Sequence, residues 1–252
     1  MITTTNTMLD FVFFGLDEFA DGVLKGLAKH GLVPKQVINT TTSDIPKNAD
    51  MYVVASYGKI LKKEVLDKPK FGTINVHPSL LPKHRGASPL QTTILNSDKE
   101  TGVSIMLIDE QVDHGPILAQ QKIALDPNTN FVQLRDQLAT IGSDMLAEIL
   151  PKWVKGEIKA LEQDHTVATF TKKVKKEDGE IKLEDDANLN YRKFLAFTPN
   201  PGIYYFAEHL GKPLRVLITS AHLNNNVFTI DRVKPEGRKE MKYQAFLRGL
   251  RQ

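Results

Sequence analysis

Residues 72–89 read GTINVHPSLLPKHRGASP, and residues 109–118 read DEQVDHGPIL. In the first stretch an apolar run from Ile74 to Val76 leads to two polar residues one position apart, Asn75 and His77. Pro78 ends the run at once. Side chains at i and i+2 of a strand point to the same face, so Asn75 and His77 can aim at one point from the end of a single strand. In the second stretch Asp113 sits in a Gly-containing turn. An amide, an imidazole and a carboxylate at the ends of neighbouring strands can polarise a carbonyl and move a proton. Taken singly, each residue also has a plainer use. A His before Pro can be a hydrogen-bonded structural residue, and an Asp in a turn can cap backbone.

Outward from this pair of stretches the chain alternates between strand and helix. FVFFG (11–15) reads as a buried strand and residues 17–30 as a helix, with Asp17 as N-cap and Gly31 just past the end. KQVINT (35–40) reads as a second strand. This β-α-β opening predicts a parallel sheet. The single Gly after strand one lacks the G-x-G-x-x-G spacing, so neither NAD nor FAD is expected. MYVVAS (51–56) is a third strand, followed by YGKILKKEVLDKP as a strand end and an amphipathic helix. PLQTTILN (89–96) reads as a helix. GVSIMLI (102–108) is apolar throughout, as for a strand covered on both faces, and ILAQQKIAL (117–125) is the next strand. Residues 129–150 place Val132, Leu134, Leu138, Ile141, Met145 and Leu146 at helical spacing, with Pro151 opening a short second piece.

INVHPSLLPKHRGASP followed by TGVSIMLIDEQVDHGPILAQ resembles the formyltransferases that use 10-formyltetrahydrofolate. Asn-x-His, Ser-Leu-Leu-Pro-x-x-Arg-Gly and Asp-x-Gly occur in the order typical of that family. Three later segments extend the resemblance toward its methionyl-tRNA branch: HTVATFTKKVKKEDGEIKLEDDAN, YRKFLAFTPNPGIYYFAEH and PEGRKEMKYQAFLRGLRQ. The resemblance implies an α/β fold: a Rossmann-like parallel-sheet catalytic domain over 1–165, a basic linker over 166–188 and a compact OB-like β-barrel over 189–252.

It also implies roles for residues. Asn75, His77 and Asp113 are catalytic, acting through a tetrahedral intermediate. Tyr57, Gly58, Lys59, Ile60 and Leu61 line the folate pocket, with Ser79, Leu80, Leu81 and Pro82, and with Glu110, Gln111 and Val112. Arg85, Gly86, Lys172, Lys173, Lys175 and Lys176 meet the acceptor substrate. No metal is required, because fixed hydrogen-bond donors do the polarising. His84 and His114 fall where the family varies or makes no use of the side chain, and His114 is expected at the surface. Initiator methionyl-tRNA is the implied acceptor, with a nucleotide-linked amino sugar as the alternative. Glycinamide ribonucleotide fits less well, because such enzymes stop after the first domain. A binding module with a dead catalytic domain is disfavoured by three intact catalytic positions. Departures from the pattern are the short polar connection at 40–50, Leu195 in place of Arg and Asn200 in place of Trp.

The totals agree with a globular protein. Hydrophobic residues make up 41% of 252 and charged residues 25%, enough for a substantial core. With no cysteine, disulfides, Cys-ligated zinc and a thiol nucleophile are excluded. No apolar run approaches the ~18 residues of a membrane span, and MITTTNTMLD lacks the charged and apolar regions of a signal peptide. The family resemblance implies a cytoplasmic monomer without a stable protein partner. Charge is uneven. Residues 166–252 hold 16 Lys+Arg and 10 Asp+Glu, whereas residues 1–165 hold 17 and 20. A basic C-terminal part suits a polyanion such as tRNA.

Overall fold

The structure, a computed structural model, describes residues 9–40 and 48–250. Most of the polar connection expected at 40–50 lies outside the described residues. In chain order the elements are β1 (Phe11–Phe14), α1 (Glu18–Lys29), β2 (Gln36–Ile38), β3 (Met51–Val54), α2 (Lys63–Leu66), β4 (Thr73–His77), β5 (Arg85–Gly86), α3 (Pro89–Leu95), β6 (Glu100–Leu107), β7 (Ile117–Ala124) and α4 (Phe131–Val154). Then follow β8 (Phe170–Thr171), α5 (Ala187–Phe197), β9 (Ile203–His209), β10 (Lys212–Asn224), β11 (Val227–Pro235), β12 (Met241–Lys242) and α6 (Tyr243–Leu250). They group into two compact units. The first comprises Met1–Pro89, Glu100–Ala124 and Arg135–Thr171; the second comprises Leu90–Lys99, Leu125–Leu134 and Lys172–Gln252.

The first unit is built on a six-stranded sheet of order β2-β1-β3-β4-β6-β7. Alternation along its short strands sorts the side chains onto two faces. Val12, Phe14, Tyr52 and Val54 share one face with Ile38 and Tyr57, and Leu61 and Val65 close over them. The Phe14 ring meets Tyr52 at 5.2 Å and Tyr57 at 5.3 Å, both edge to face, the arrangement that aromatic quadrupoles favour. Against the other face lie α1 and α4. A Cβ on Gly142 of α4 would lie 2.6 Å from Val76 Cγ1, and one on Gly26 of α1 would lie 2.0 Å from Ser143 Oγ. The two helices therefore approach each other, and α4 approaches β4, at glycine. α1 starts where the sequence predicts, with the Asp17 side chain accepting from the Ala20 amide at 3.1 Å.

The expected parallel sheet is observed in part. β2, β1, β3 and β4 are parallel, but β6 runs antiparallel to β4, and β7 antiparallel to β6. β6 enters beside the C-terminal end of β4, where Ser104 pairs with His77, so the segment holding β5 and α3 does not carry the chain back to the other end of the sheet. One further expectation is corrected. α4 continues through Pro151 as one helix, Phe131–Val154, rather than restarting there. In the lysine-rich segment β8 ends at Thr171 and a 3-10 turn spans Lys176–Gly179.

The second unit holds a four-stranded antiparallel sheet, β12-β11-β10-β9. Among the described residues its end strands are β12 and β9. The β10–β11 hairpin turns at Asn225 and Asn226, with φ of 48° and 60°. Positive φ at both central residues is the signature of the tight turn that matches strand twist, and Asn tolerates it. Leu195, Phe197, Ile203, Val216, Ile218, Val233 and Phe246 are buried in this unit. Leu195, which stands where the family carries Arg, is thus a core residue here. Asn200 is exposed. Among the described residues no helix is long and apolar enough to cross a membrane.

Replacing Gly26 with Val drives two methyls into Ser143 on the facing helix. We expect a loss of about 1–3 kcal/mol in folding stability, read as a lower urea midpoint. An unchanged midpoint would mean that the helices separate without cost.

Candidate active site

The site begins at the C-terminal end of β4. Register pairs Asn75 with Met106 and His77 with Ser104 on the neighbouring antiparallel strand. Directly opposed residues share a face, so Asn75, His77 and the Ser104 hydroxyl lie on the same side. Ile74 and Val76 turn to the other side and are buried. The sequence needed only the strand period to make this division.

Ser104 then organises the loop that leaves β4. Its hydroxyl donates to the Ser79 carbonyl at 2.6 Å and accepts from the Leu81 amide at 3.0 Å. Gln120 Nε2 donates to that same hydroxyl at 2.8 Å and to the Leu81 carbonyl at 2.7 Å. The Ser79 hydroxyl donates to the Lys83 carbonyl at 2.6 Å. Ser79, Leu81 and Ser104 are buried, so these bonds satisfy groups that water does not reach. The loop reaches His84, at φ 60°, whose carbonyl accepts from His77 Nε2 at 3.0 Å. With Nε2–H committed to that carbonyl, Nδ1 is the nitrogen left for chemistry.

Asp113 approaches from the β6–β7 connection, also in the left-handed region at φ 48°. Short polar Asp side chains tolerate that conformation better than most. Its Oδ2 accepts from the Gly86 amide at 2.7 Å. Its Oδ1 lies 3.4 Å from Asn75 Nδ2 and 3.6 Å from His77 Nδ1. The three side chains nominated from sequence thus surround one small volume. The Asp113 side chain is 15% exposed against 5% for His77, so a ligand reaches the carboxylate edge first. Gly86 is required for its own reason. At φ 110° its added Cβ would lie 2.8 Å from the Thr171 carbonyl oxygen.

The remaining nominated residues divide by exposure. Tyr57 is buried, its hydroxyl donating to the Thr40 carbonyl at 3.3 Å, so only its backbone can face a ligand. Gly58 and Lys59 are exposed and Leu61 half-buried, on irregular backbone. Ile60 and Val112 are strongly exposed for apolar residues. Glu110 and Gln111 are exposed, Leu80 and Pro82 half-buried. Lys63 and Glu110 form an ion pair at 3.3 Å between the 57–66 and 109–113 segments. Lys172, Lys173, Lys175 and Lys176 are all exposed.

Arg85 does not lie where a substrate contact would put it. It is 3% exposed. Nε and Nη2 donate to Gln163 Oε1 at 3.1 and 2.6 Å, and Nη2 also donates to His165 Nδ1 at 2.8 Å. A guanidinium so buried is held for structure, since its desolvation is offset only by fixed partners. His114 is likewise not a free surface residue. Nδ1 sits 2.6 Å from Asp109 Oδ2, and the ring stacks on His165 at 4.0 Å. Sequence reasoning missed Ser104, Gln120, Gln163 and His165. Each is an ordinary polar residue in its local context, and only Ser104 carried a signal, as a hydroxyl inside a fully apolar strand.

Ser104→Ala leaves the buried Leu81 amide without an acceptor. A destabilisation of about 1–3 kcal/mol is expected, measured by denaturant unfolding. Wild-type stability would show that the loop stands without the hydroxyl.

The sequence model described as Formyl transferase matches residues 25–150. Methionyl-tRNA formyltransferase of Chloroflexus aurantiacus is 47% identical over 165 residues, covering 66% of this chain and 53% of that protein. The methionyl-tRNA formyltransferase of a Wolbachia strain is 39% identical over 219 residues, covering 80% of this chain and 71% of that one. Among solved structures, HypX from Aquifex aeolicus in complex with tetrahydrofolic acid superposes with a TM-score of 0.74 at 15% identity, over 96% of this chain and 47% of that one. That likeness concerns the fold. The chain spans about half the length of several curated relatives it matches, from 51% to 56%. From its sequence match and its relatives, the chain belongs to the formyl transferase family.

Proposed function

We propose that the protein transfers a formyl group from 10-formyltetrahydrofolate to the α-amino group of methionine on initiator tRNA. The observation that carries this reading is the approach of Asn75 Nδ2 and His77 Nδ1 to one carboxylate oxygen of Asp113, at 3.4 and 3.6 Å. Relatives named methionyl-tRNA formyltransferase support the choice of acceptor, and the likeness in fold to a tetrahydrofolic acid complex agrees with a folate donor. The residues here fit that donor. Ile60 and Val112 expose apolar surface on the two segments that Lys63 and Glu110 bridge. The irregular backbone of 57–62 offers amide and carbonyl groups to a flat heterocycle with a hydrogen-bonding edge. The open four-stranded sheet is read as a reduced form of the small barrel that the family resemblance implies. Translation initiation places the reaction in the cytoplasm.

The folate supplies an electrophilic formyl carbon. Asn75 donates from Nδ2 to the oxygen on which negative charge gathers as the amine adds. His77 contributes through Nδ1 alone, because Nε2 is held by the His84 carbonyl. A donor such as Asn75 Nδ2 is worth ~3–4 kcal/mol when aimed before reaction. Asp113 accepts the amine's proton at Oδ1, while its Oδ2 remains fixed by the Gly86 amide. The amine is thus deprotonated where it attacks, and the carboxylate need not reorient. As the carbon–N10 bond breaks, Asp113 gives that proton to N10, so that tetrahydrofolate leaves and the formyl group stays on the amine.

Alanine at Asn75, His77 or Asp113 is expected to lower the rate of formyl transfer by roughly 10²–10³-fold. Stopped assays with formylfolate and charged initiator tRNA measure it. Near-normal turnover in all three variants would end the assignment. For the acceptor, each phosphate neutralised adds a slope of about −0.7 to −0.9 to log K against log salt. We expect a steep dependence for tRNA, made shallower when Lys172, Lys173, Lys175 and Lys176 are all changed to Gln, with folate binding unaffected. A flat salt response, together with turnover of a nucleotide-linked amino sugar, would favour that acceptor instead.

A further inference from the structure

Gln163 lies outside the matched stretch of 25–150 and beyond every motif read from the sequence, yet it is 5% exposed and uses both ends of its amide. Nε2 donates to the Asp113 carbonyl at 3.0 Å and to the Gly115 carbonyl at 2.7 Å. Oε1 accepts from Arg85 Nε at 3.1 Å and Nη2 at 2.6 Å. Two donors and one doubly used acceptor fix which way the amide faces. A flipped amide would point N–H at a guanidinium and oxygen at two carbonyls.

These contacts close a ring around the Asp113 turn. Arg85 is followed by Gly86, whose amide holds the Asp113 carboxylate at 2.7 Å. The Arg85 side chain holds Gln163, and Gln163 holds the main chain of Asp113. Gly86 thus grips the carboxylate and Gln163 the backbone that carries it, with Arg85 joining the two. His165 extends the brace. It accepts from Arg85 Nη2 at 2.8 Å and stacks on His114, which pairs with Asp109 at the start of the same turn.

We infer that Gln163 is a positioning residue for Asp113, setting where the carboxylate stands relative to Asn75 and His77. The inference rests on the formyl-transfer reading. Gln163 touches no reacting atom; it acts through the turn. Glutamate at 163 keeps the size and the acceptor for Arg85 but loses both donors to the turn, and it sets a carboxylate against two carbonyls. Methionine keeps the shape and loses both sets of bonds.

The test measures formyl transfer by Gln163→Glu and Gln163→Met, each alone and combined with Asp113→Asn, alongside binding of tetrahydrofolate. Displacing a reacting group by about an ångström can cost roughly 10²-fold in rate, and a fall of that order in kcat is expected for Gln163→Glu. Folate affinity should stay unchanged. In the Asp113→Asn background the same change at 163 should have almost no further effect, because there is no longer a carboxylate to place. A purely structural role would lower activity equally in both backgrounds, and that result would overturn the inference. So would a normal kcat in Gln163→Glu. If Gln163→Glu does not fold, Gln163→Met carries the same comparison. Wild-type protein that transfers no formyl group would sink the functional reading itself, whereas active wild type with an indifferent residue 163 sinks only this one.

Discussion

One main-chain hydrogen bond, from the Gly86 amide to Oδ2 of Asp113, decides whether the site exists. It joins two segments that the sequence keeps apart, the loop after β4 and the turn between β6 and β7. Without it the carboxylate has no fixed orientation toward Asn75 and His77. The bond requires Gly86 at φ 110°, a conformation that L side chains rarely adopt. It also requires β5 to stay paired with β8, Arg85 with Phe170 and Gly86 with Thr171. A two-residue strand pair is marginal by itself. Side chains support it here: the Thr171 hydroxyl accepts from the Ser88 amide, and the Thr169 hydroxyl from the His84 amide.

Around that bond the site is built as a fully partnered polar network within a mostly apolar unit. Buried polar groups are costly when alone and rigidifying when paired. Ser104, Gln120, Arg85 and Gln163 each make at least two of the hydrogen bonds that shape the two loops. What remains open toward a ligand is narrow: Asn75 Nδ2, His77 Nδ1 and Asp113 Oδ1. One face of β4 supplies two of these, while its other face, Ile74 and Val76, anchors in the core. The strand thus couples folding stability to the placement of the proposed catalytic groups.

The second unit has a different physical character. Its core is a small set of aliphatic and aromatic residues from an open antiparallel sheet and two helices, and its surface is rich in Lys and Arg. Arg215 stacks on the Tyr204 ring at 3.8 Å, and the Asp186 side chain caps α5 through the Leu189 amide at 2.8 Å. Residues 166–252 carry 16 Lys+Arg against 10 Asp+Glu, a balance that favours polyanions by long-range attraction. That attraction needs exposed charge rather than precise geometry, which the irregular run from Lys172 to Lys176 provides.

The sequence by itself determined the local elements: α1 with its Asp17 cap, the hairpin through Asn225 and Asn226, and the strand that puts Asn75 and His77 on one side. These follow from dihedral preferences and short periods, which neighbouring residues encode. Family resemblance, carried by short motifs, added Asp113. Tertiary structure alone decided the rest. It reversed β6, which enters the sheet beside the C-terminal end of β4. It kept α4 whole through Pro151, left the second sheet open, and turned Arg85 inward to Gln163 and His165, residues 78 and 80 positions away. No local pattern can record such a pairing. A buried guanidinium takes whatever acceptors the fold brings to it, and those acceptors are chosen by packing rather than by spacing along the chain.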